Sequence, residues 1–177
     1  MMLKRPLKTR AKSGLRRKNI SKSMVGWREL VALPLLGIDE VKAKIDTGAK
    51  TSALHAYEVL TFKRHGREFV KFKVHPIQRS TKGVVECEAP LLEWRQVTDS
   101  SGRRTLRPTI KTTIEIGGKA VSAEITLIAR DAMGFRMLIG REALRGNWLV
   151  DPSKSFIAGR APKLRKARSE HRNFEEE

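Results

Sequence analysis

Asp46, Thr47 and Gly48, in the run Lys44-Ile45-Asp46-Thr47-Gly48-Ala49, are the residues best suited to chemistry. An Asp on a tight loop at a strand end can bring its carboxyl group to a water molecule. Thr47 offers a hydroxyl to brace such a loop, and Gly48 lets the backbone approach the carboxylate closely. Two such aspartates side by side share one proton, because like charges in contact cannot both ionise. A pair of this kind activates a water and protonates a leaving amine. The sequence contains Asp-Thr-Gly once, and the later aspartates Asp99, Asp131 and Asp151 lack that setting. The pair then requires two chains, each giving one Asp46 across a two-fold axis. Taken alone, three letters are equally compatible with a plain turn.

A second element strengthens the catalytic reading. Met137-Leu138-Ile139-Gly140-Arg141-Glu142-Ala143-Leu144 is an apolar run, then Gly-Arg, then helix formers. Together, and in this order, the two elements resemble the retropepsin-like aspartic proteases. The string Ile45-Asp46-Thr47-Gly48-Ala49-Lys50-Thr51-Ser52-Ala53-Leu54-His55-Ala56 narrows the match, with Arg107-Pro108, Arg130 near Met133, and Leu138–Arg141 downstream. The set is similar to the bacterial family often labelled "ATP-dependent zinc protease", the RimB-like group that accompanies RimK-type glutamate ligases. The resemblance spans roughly residues 25–158. It implies an all-β fold, a retropepsin-like closed β-barrel with one short C-terminal helix. It also implies trimming of poly-α-glutamate tails that a RimK-type ligase adds to a small-subunit ribosomal protein.

No phosphate cradle of the form G-x-x-x-x-G-K-[ST] and no H-E-x-x-H occurs, so neither nucleotide nor metal is expected as a cofactor. A carboxylate–histidine metal site using His55, nine residues after Asp46, is the alternative, and a chelator tests it. Ser52 and Thr51 lack the surroundings of a nucleophile elbow. They either brace the loop or contact a substrate carboxylate.

Viral retropepsins carry an Asp where this chain has Lys50. The resemblance therefore implies that Lys50 and Arg141 flank the cleft with no acid between them, a costly arrangement until an anion arrives. Glutamate side chains are the natural partners, and arginine can hold them bidentately. Arg107 and Arg130 are further candidates. Arg141 has a structural alternative, bonding the carbonyls of the Asp-Thr-Gly loop. A flap hairpin is sought between the two motifs. Residues 75–83, with Arg79 and Lys82 able to meet an acidic substrate, are one candidate tip, and 100–104 are its rival.

Several elements must position these groups. Residues 27–33, 38–45 and 69–74 carry apolar residues at alternate or near-alternate positions. In 109–116, Ile110, Thr112, Ile114 and Ile116 share a face, and in 120–128 so do Val121, Ala123, Ile125 and Leu127. Gly117-Gly118 between them supplies the positive φ values of a hairpin turn. Residues 137–139 read as a short strand, and 141–145 as a short helix stopped by Gly146.

The chain has 177 residues, about one domain's worth. Aromatic residues make up only 6% of it, so the core is expected to be aliphatic. Lys and Arg number 37 against 19 acids, a formal net charge of +18, and residues 1–23 contribute nine bases and no acid. That segment reads as a disordered basic arm able to contact RNA, and 160–177 as a disordered charged tail, leaving 24–159 as the domain. The terminal Glu175–Glu177 could mimic substrate. A single cysteine, Cys87, excludes an internal disulfide. Its neighbours Glu86 and Glu88 are expected to raise its pKa. No apolar run approaches the ~20 residues of a membrane span, and no apolar stretch backs the basic start as in a secretory signal. A cytoplasmic homodimer is expected. The competing reading is a non-catalytic basic β-domain that binds ribosomal RNA or an acidic protein.

Overall fold

The computed structural model describes residues 22–77, 82–98, 102–129 and 134–159. Arg79, Arg130 and the tail 160–177 lie outside them. So does 1–21 of the expected arm, and Ser23 begins the first strand. The strands are β1 (Ser23–Gly26), β2 (Arg28–Leu33), β3 (Ile38–Asp46), β4 (Ser52–His55), β5 (Tyr57–Arg64) and β6 (Arg67–Val74). They continue with β7 (Val85–Thr98), β8 (Arg104–Ile116), β9 (Lys119–Ile128), β10 (Met137–Gly140) and β11 (Trp148–Asp151). One α-helix, α1 (Arg141–Leu144), follows β10, and a single 3-10 turn covers Pro34–Leu36. No helix among the described residues is long and apolar enough to cross a membrane.

The fold is all-β, as expected. The main sheet runs β2-β3-β10-β4-β9-β8-β7-β6-β5, and β2 also meets β8 where Ala32 pairs with Glu115. That contact closes six strands into a ring, while β7, β6 and β5 extend beyond it. The predicted hairpin is the ring's backbone: Ile114 faces Val121 and Ile110 faces Ile125 across β8 and β9. Gly117 and Gly118 have φ of 58° and 77°, which is why glycines occupy the turn.

Side-chain alternation puts the core inside the ring. Val41, Ala43 and Ile45 of β3 are buried while Lys44 is exposed. Ile110, Ile114, Ile125, Leu54, Met137 and Ile139 complete an aliphatic core, with Phe72 the largest side chain fully buried. Such burial is the main favourable term in folding, at about 25 cal/mol per Å² of apolar surface.

Cys87 shows the same alternation. Glu86 and Glu88 point outward to Lys71 and Arg64, and Cys87 points inward with its Sγ 3.5 Å from the Leu36 carbonyl. Burial pushes its thiol up to about 11. The direction is the expected one, but the cause is burial and not the flanking acids. Stability contributed by the neutral thiol is complete below pH ~8.5, the unfolded value. It is lost as pH rises toward the folded value. Cys87 is therefore expected to resist alkylation in the native protein at pH 8 and to react within minutes in denaturant. A native thiol that titrates with a disulfide reagent at the denatured rate would contradict this placement.

β1 and β11 form a separate parallel pair, and the 152–158 segment packs beside it. Glu29, fully buried on β2, ties them together. Its Oε1 accepts hydrogen bonds from the N–H groups of Gly26 (2.6 Å) and Ile157 (3.1 Å), and its Oε2 accepts one from Ala158 (3.3 Å).

Candidate active site

The Asp-Thr-Gly loop leaves β3 at Asp46 and re-enters the sheet as β4. Those two strands are not neighbours. β10 lies between them, parallel to β3 with Gly140 beside Asp46, and antiparallel to β4 with Met137 beside Leu54. The loop therefore bridges over the end of β10, with residues 47–51 at the ends of the three strands. The first helical turn supports it from below. Its N–H groups have no partner within the helix. Arg141 N–H donates to the Ala49 carbonyl at 2.9 Å, and Glu142 N–H donates to the Lys50 carbonyl at 3.2 Å.

Gly140 is where β10 passes under the loop. A Cβ there would lie 2.6 Å from the Thr51 carbonyl carbon and 2.8 Å from the Lys50 oxygen. Both obstacles are backbone, so no rotamer change relieves them. Gly140→Ala is expected to destabilise the protein by about 2 kcal/mol or more, read as a lower urea midpoint at unchanged slope. A wild-type midpoint would show that the loop is not seated on β10.

Asp46 is partly exposed. Its Oδ1 accepts hydrogen bonds from Gly48 N–H (3.1 Å) and Ala49 N–H (3.2 Å), and its Oδ2 accepts none among the described residues. One oxygen thus fixes the carboxyl group and the other is open. Gly48 leaves room for that closeness, since a Cβ on it would sit 3.3 Å from Oδ1, a tight contact. Thr47 does not brace the loop as expected. It is exposed and its hydroxyl makes no hydrogen bond among the described residues. Arg141 does so instead, donating from Nη1 to the Gly48 carbonyl at 3.0 Å. This is the structural alternative for Arg141.

Ser52 is 1% exposed, and its Oγ accepts the Gly140 N–H at 3.1 Å, while Thr126 donates to its carbonyl at 3.2 Å. Bracing is the geometry it adopts. Thr51 Oγ1 accepts a hydrogen bond from Arg95 Nη1 at 3.3 Å. Arg95, on β7, was not singled out from the sequence. It pairs with Glu93 and, at 2.8 Å, with Glu124. Burial opposes its charge, but the hydrogen bonds it donates to Glu124 and Glu93 outweigh that and raise its pKa. Arg95 lies on β7, which pairs with β8, and the rival flap stretch falls between those strands, with residues 99–101 outside the described ones. Residues 75–84 join β6 to β7 instead.

A cavity of about 600 Å³ opens beside the loop, lined by Lys50, Thr51, Arg95, Lys111 and Glu142 among others. Arg107 is not on its wall. It is 8% exposed, donates to Thr105 Oγ1 at 2.8 Å, and lines a second cavity of about 330 Å³ with Trp94 and Pro108. His55 is buried on β4 with its ring against the Arg136 guanidinium. Among the described residues, no three His, Cys, Asp or Glu side chains come together as a metal would need.

The comparisons with known proteins agree with this geometry. The profile of the RimB-like family, described as retropepsin-like aspartic endopeptidase RimB, matches residues 24–161. Proteins named probable alpha-L-glutamate ligase from Shewanella pealeana and Desulfotalea psychrophila are 44% and 41% identical over 78% and 82% of this chain. The chain spans only 30% and 31% of their lengths, so it matches one part of each. A crystal structure of Lpg0085, a Legionella pneumophila protein of unknown function (DUF785), superposes with a TM-score of 0.66 at 26% identity, covering 78% of this chain and 99% of that one. With its Asp46 loop seated on β10 and α1, and with the family profile matching most of its length, this chain belongs to the RimB-like family of retropepsin-like aspartic endopeptidases.

Proposed function

We propose that the chain is an aspartic peptidase that hydrolyses peptide bonds in glutamate-rich tails, with Asp46 from each of two identical subunits forming the reactive pair. The observation that carries this reading is the Asp46 carboxyl group. It is fixed through Oδ1 by two backbone N–H groups and open through Oδ2, on a loop that crosses the end of β10.

The chemistry follows from a pair sharing one proton. The ionised carboxylate removes a proton from water while the protonated partner donates a hydrogen bond to the scissile carbonyl. The water oxygen bonds to the carbonyl carbon, giving a tetrahedral intermediate. The C–N bond then breaks, its electron pair goes to nitrogen, and a proton from the pair leaves with the amine. One peptide bond and one water become a carboxyl group and an amine. Asp-Thr-Gly occurs once in the chain, so the second carboxyl group comes from a second copy.

Two features support an acidic substrate. The net charge of +18 favours capture of a polyanionic peptide. The relatives named probable alpha-L-glutamate ligase carry a domain like this one in a longer chain. A ligase of α-linked glutamate and a peptidase for α-linked glutamate act on the same bond in opposite directions. In this reading the tail is made by a RimK-type ligase on a small-subunit ribosomal protein, and the basic segment 1–23 assists contact with RNA. On the same reading Lys50 and Arg141 add to the positive field along the substrate, as would Arg79 and Arg130, which lie outside the described residues, whereas Arg107 lines the second cavity.

The test is incubation with a synthetic poly-α-glutamate peptide and a neutral peptide of equal length, read by mass spectrometry. Wild type is expected to shorten the glutamate peptide alone, and Asp46→Asn neither. Equal cutting of both peptides, or turnover by Asp46→Asn, would exclude the proposal.

A further inference from the structure

The cavity beside the Asp46 loop is lined by charges of both signs, and the ion pairs sort them unequally. Glu93 and Glu124 are both held by Arg95, through Nε at 2.6 Å and Nη2 at 2.8 Å. Glu142 is drawn to Arg145 at 2.8 Å. Lys50 from the loop and Lys111 from β8 form no ion pair among the described residues. Lys111 stands opposite Glu124 in the β8–β9 register, yet that carboxylate pairs with Arg95. Glu142 is thus matched by Arg145, while Arg95 shares one charge between Glu93 and Glu124; with Arg145 counted, four cations face three carboxylates, and Lys50 and Lys111 are the two that form no ion pair among the described residues. Two lysines outside any ion pair, with one positive charge in excess, attract an anion, and about 600 Å³ is within the usual range of ligand sites.

We propose that Lys111 is a specificity-determining residue that, together with Lys50, holds a carboxylate side chain of an acidic peptide in this cavity. Arg95 is a positioning residue, which takes Glu93 and Glu124 into its own ion pairs and offsets one of their two charges. The inference rests on the reading of the chain as a peptidase for glutamate-rich tails, and it names the groups that recognise them. A lysine ammonium is a compact charge on a flexible stem with three donors, suited to carboxylates presented at varying depth. Arg95 also holds Thr51 Oγ1, so the guanidinium that binds both acids ties the cavity wall to the Asp46 loop.

The experiment uses the Asp46→Asn protein, so that binding is read without turnover. Hexaglutamate and hexaglutamine peptides are titrated into it by calorimetry at low salt. The glutamate peptide is expected to bind and the glutamine peptide not. Adding Lys111→Gln weakens glutamate binding about ten-fold, and added salt narrows that gap. Arg95→Gln also weakens binding, and Glu93→Gln with Glu124→Gln restores it, a rescue that a merely structural arginine does not show. If Arg95→Gln fails to fold, the Glu93→Gln/Glu124→Gln protein carries the same test, because it frees Arg95 and tightens the peptide. Equal affinity with and without Lys111→Gln overturns the role of Lys111. Absence of rescue, or of tightening, overturns that of Arg95. Binding that depends on Lys111 without any cleavage by wild type leaves the subsite standing and removes the peptidase reading. Cleavage indifferent to Lys111→Gln does the reverse.

Discussion

Asp46→Asn is expected to lower hydrolysis of a poly-glutamate peptide by more than about a thousand-fold, with a melting temperature close to that of wild type. The substitution separates two jobs of one side chain. Oδ1 is retained and still accepts the Gly48 and Ala49 N–H groups, so the loop keeps its shape. The amide nitrogen replaces Oδ2, which has no partner among the described residues, so nothing in the subunit is broken. What is lost is the ability to exchange a proton with water. The same variant tests the two-chain site. If wild-type and Asp46→Asn subunits are mixed in equal amounts and allowed to exchange, only about one quarter of random dimers carry two aspartates. Activity per total protein is then expected near one quarter of the pure wild-type value. A site built within one chain gives one half. A mixture that settles at one half after full exchange, checked by mass-tagged subunits, removes the shared pair.

Glu29→Ala is expected to cost about 3 kcal/mol of stability, roughly 10 °C in melting temperature for a chain of this size. Glu29 is fully buried, and its carboxyl group collects N–H groups from Gly26, Ile157 and Ala158. Truncation to alanine strands these donors in a space the side chain used to fill. Glu29→Gln is the informative comparison. It keeps Oε1, which serves Gly26 and Ile157, and turns an amide donor toward Ala158 N–H. Its loss is expected to be about 1 kcal/mol. Thermal unfolding of the three proteins gives the order wild type, Gln, Ala. Alanine and wild type melting together would show that the carboxyl group does not tie β1 and β11 to the ring.

The described parts of the chain were unequally legible. The β8–β9 hairpin was read residue by residue, because both strands have one buried and one exposed face and a Gly-Gly turn joins them. The apolar run at β10 and the short helix after it were equally plain. Residues 61–104 were not, for two physical reasons. β5 lies beyond the closed ring, so little of it is buried and its sequence shows no period. The turn into β6 is His65-Gly66, with φ of 49° and 74°, a conformation that Asn-Gly or Asp-Gly would have announced and His-Gly does not. Glu29 stayed hidden because a charged residue in a strand reads as a surface position. Arg95 stayed hidden because its partners lie 2, 29 and 44 positions away in the chain.

The sequence by itself determined the Asp-Thr-Gly loop, the run that supports it and the all-β class. Each of these depends on local chemistry: an Asp beside a Gly, an apolar strand ending in Gly-Arg, alternation along a strand. Tertiary structure alone decided which cations face the cavity. Arg141, expected beside Lys50, turns to the Gly48 carbonyl, whereas Lys111 comes to that cavity from 61 positions further along the chain. Charges act through space, and their partners are assigned only when the closing sheet brings β7, β8 and β9 against the loop.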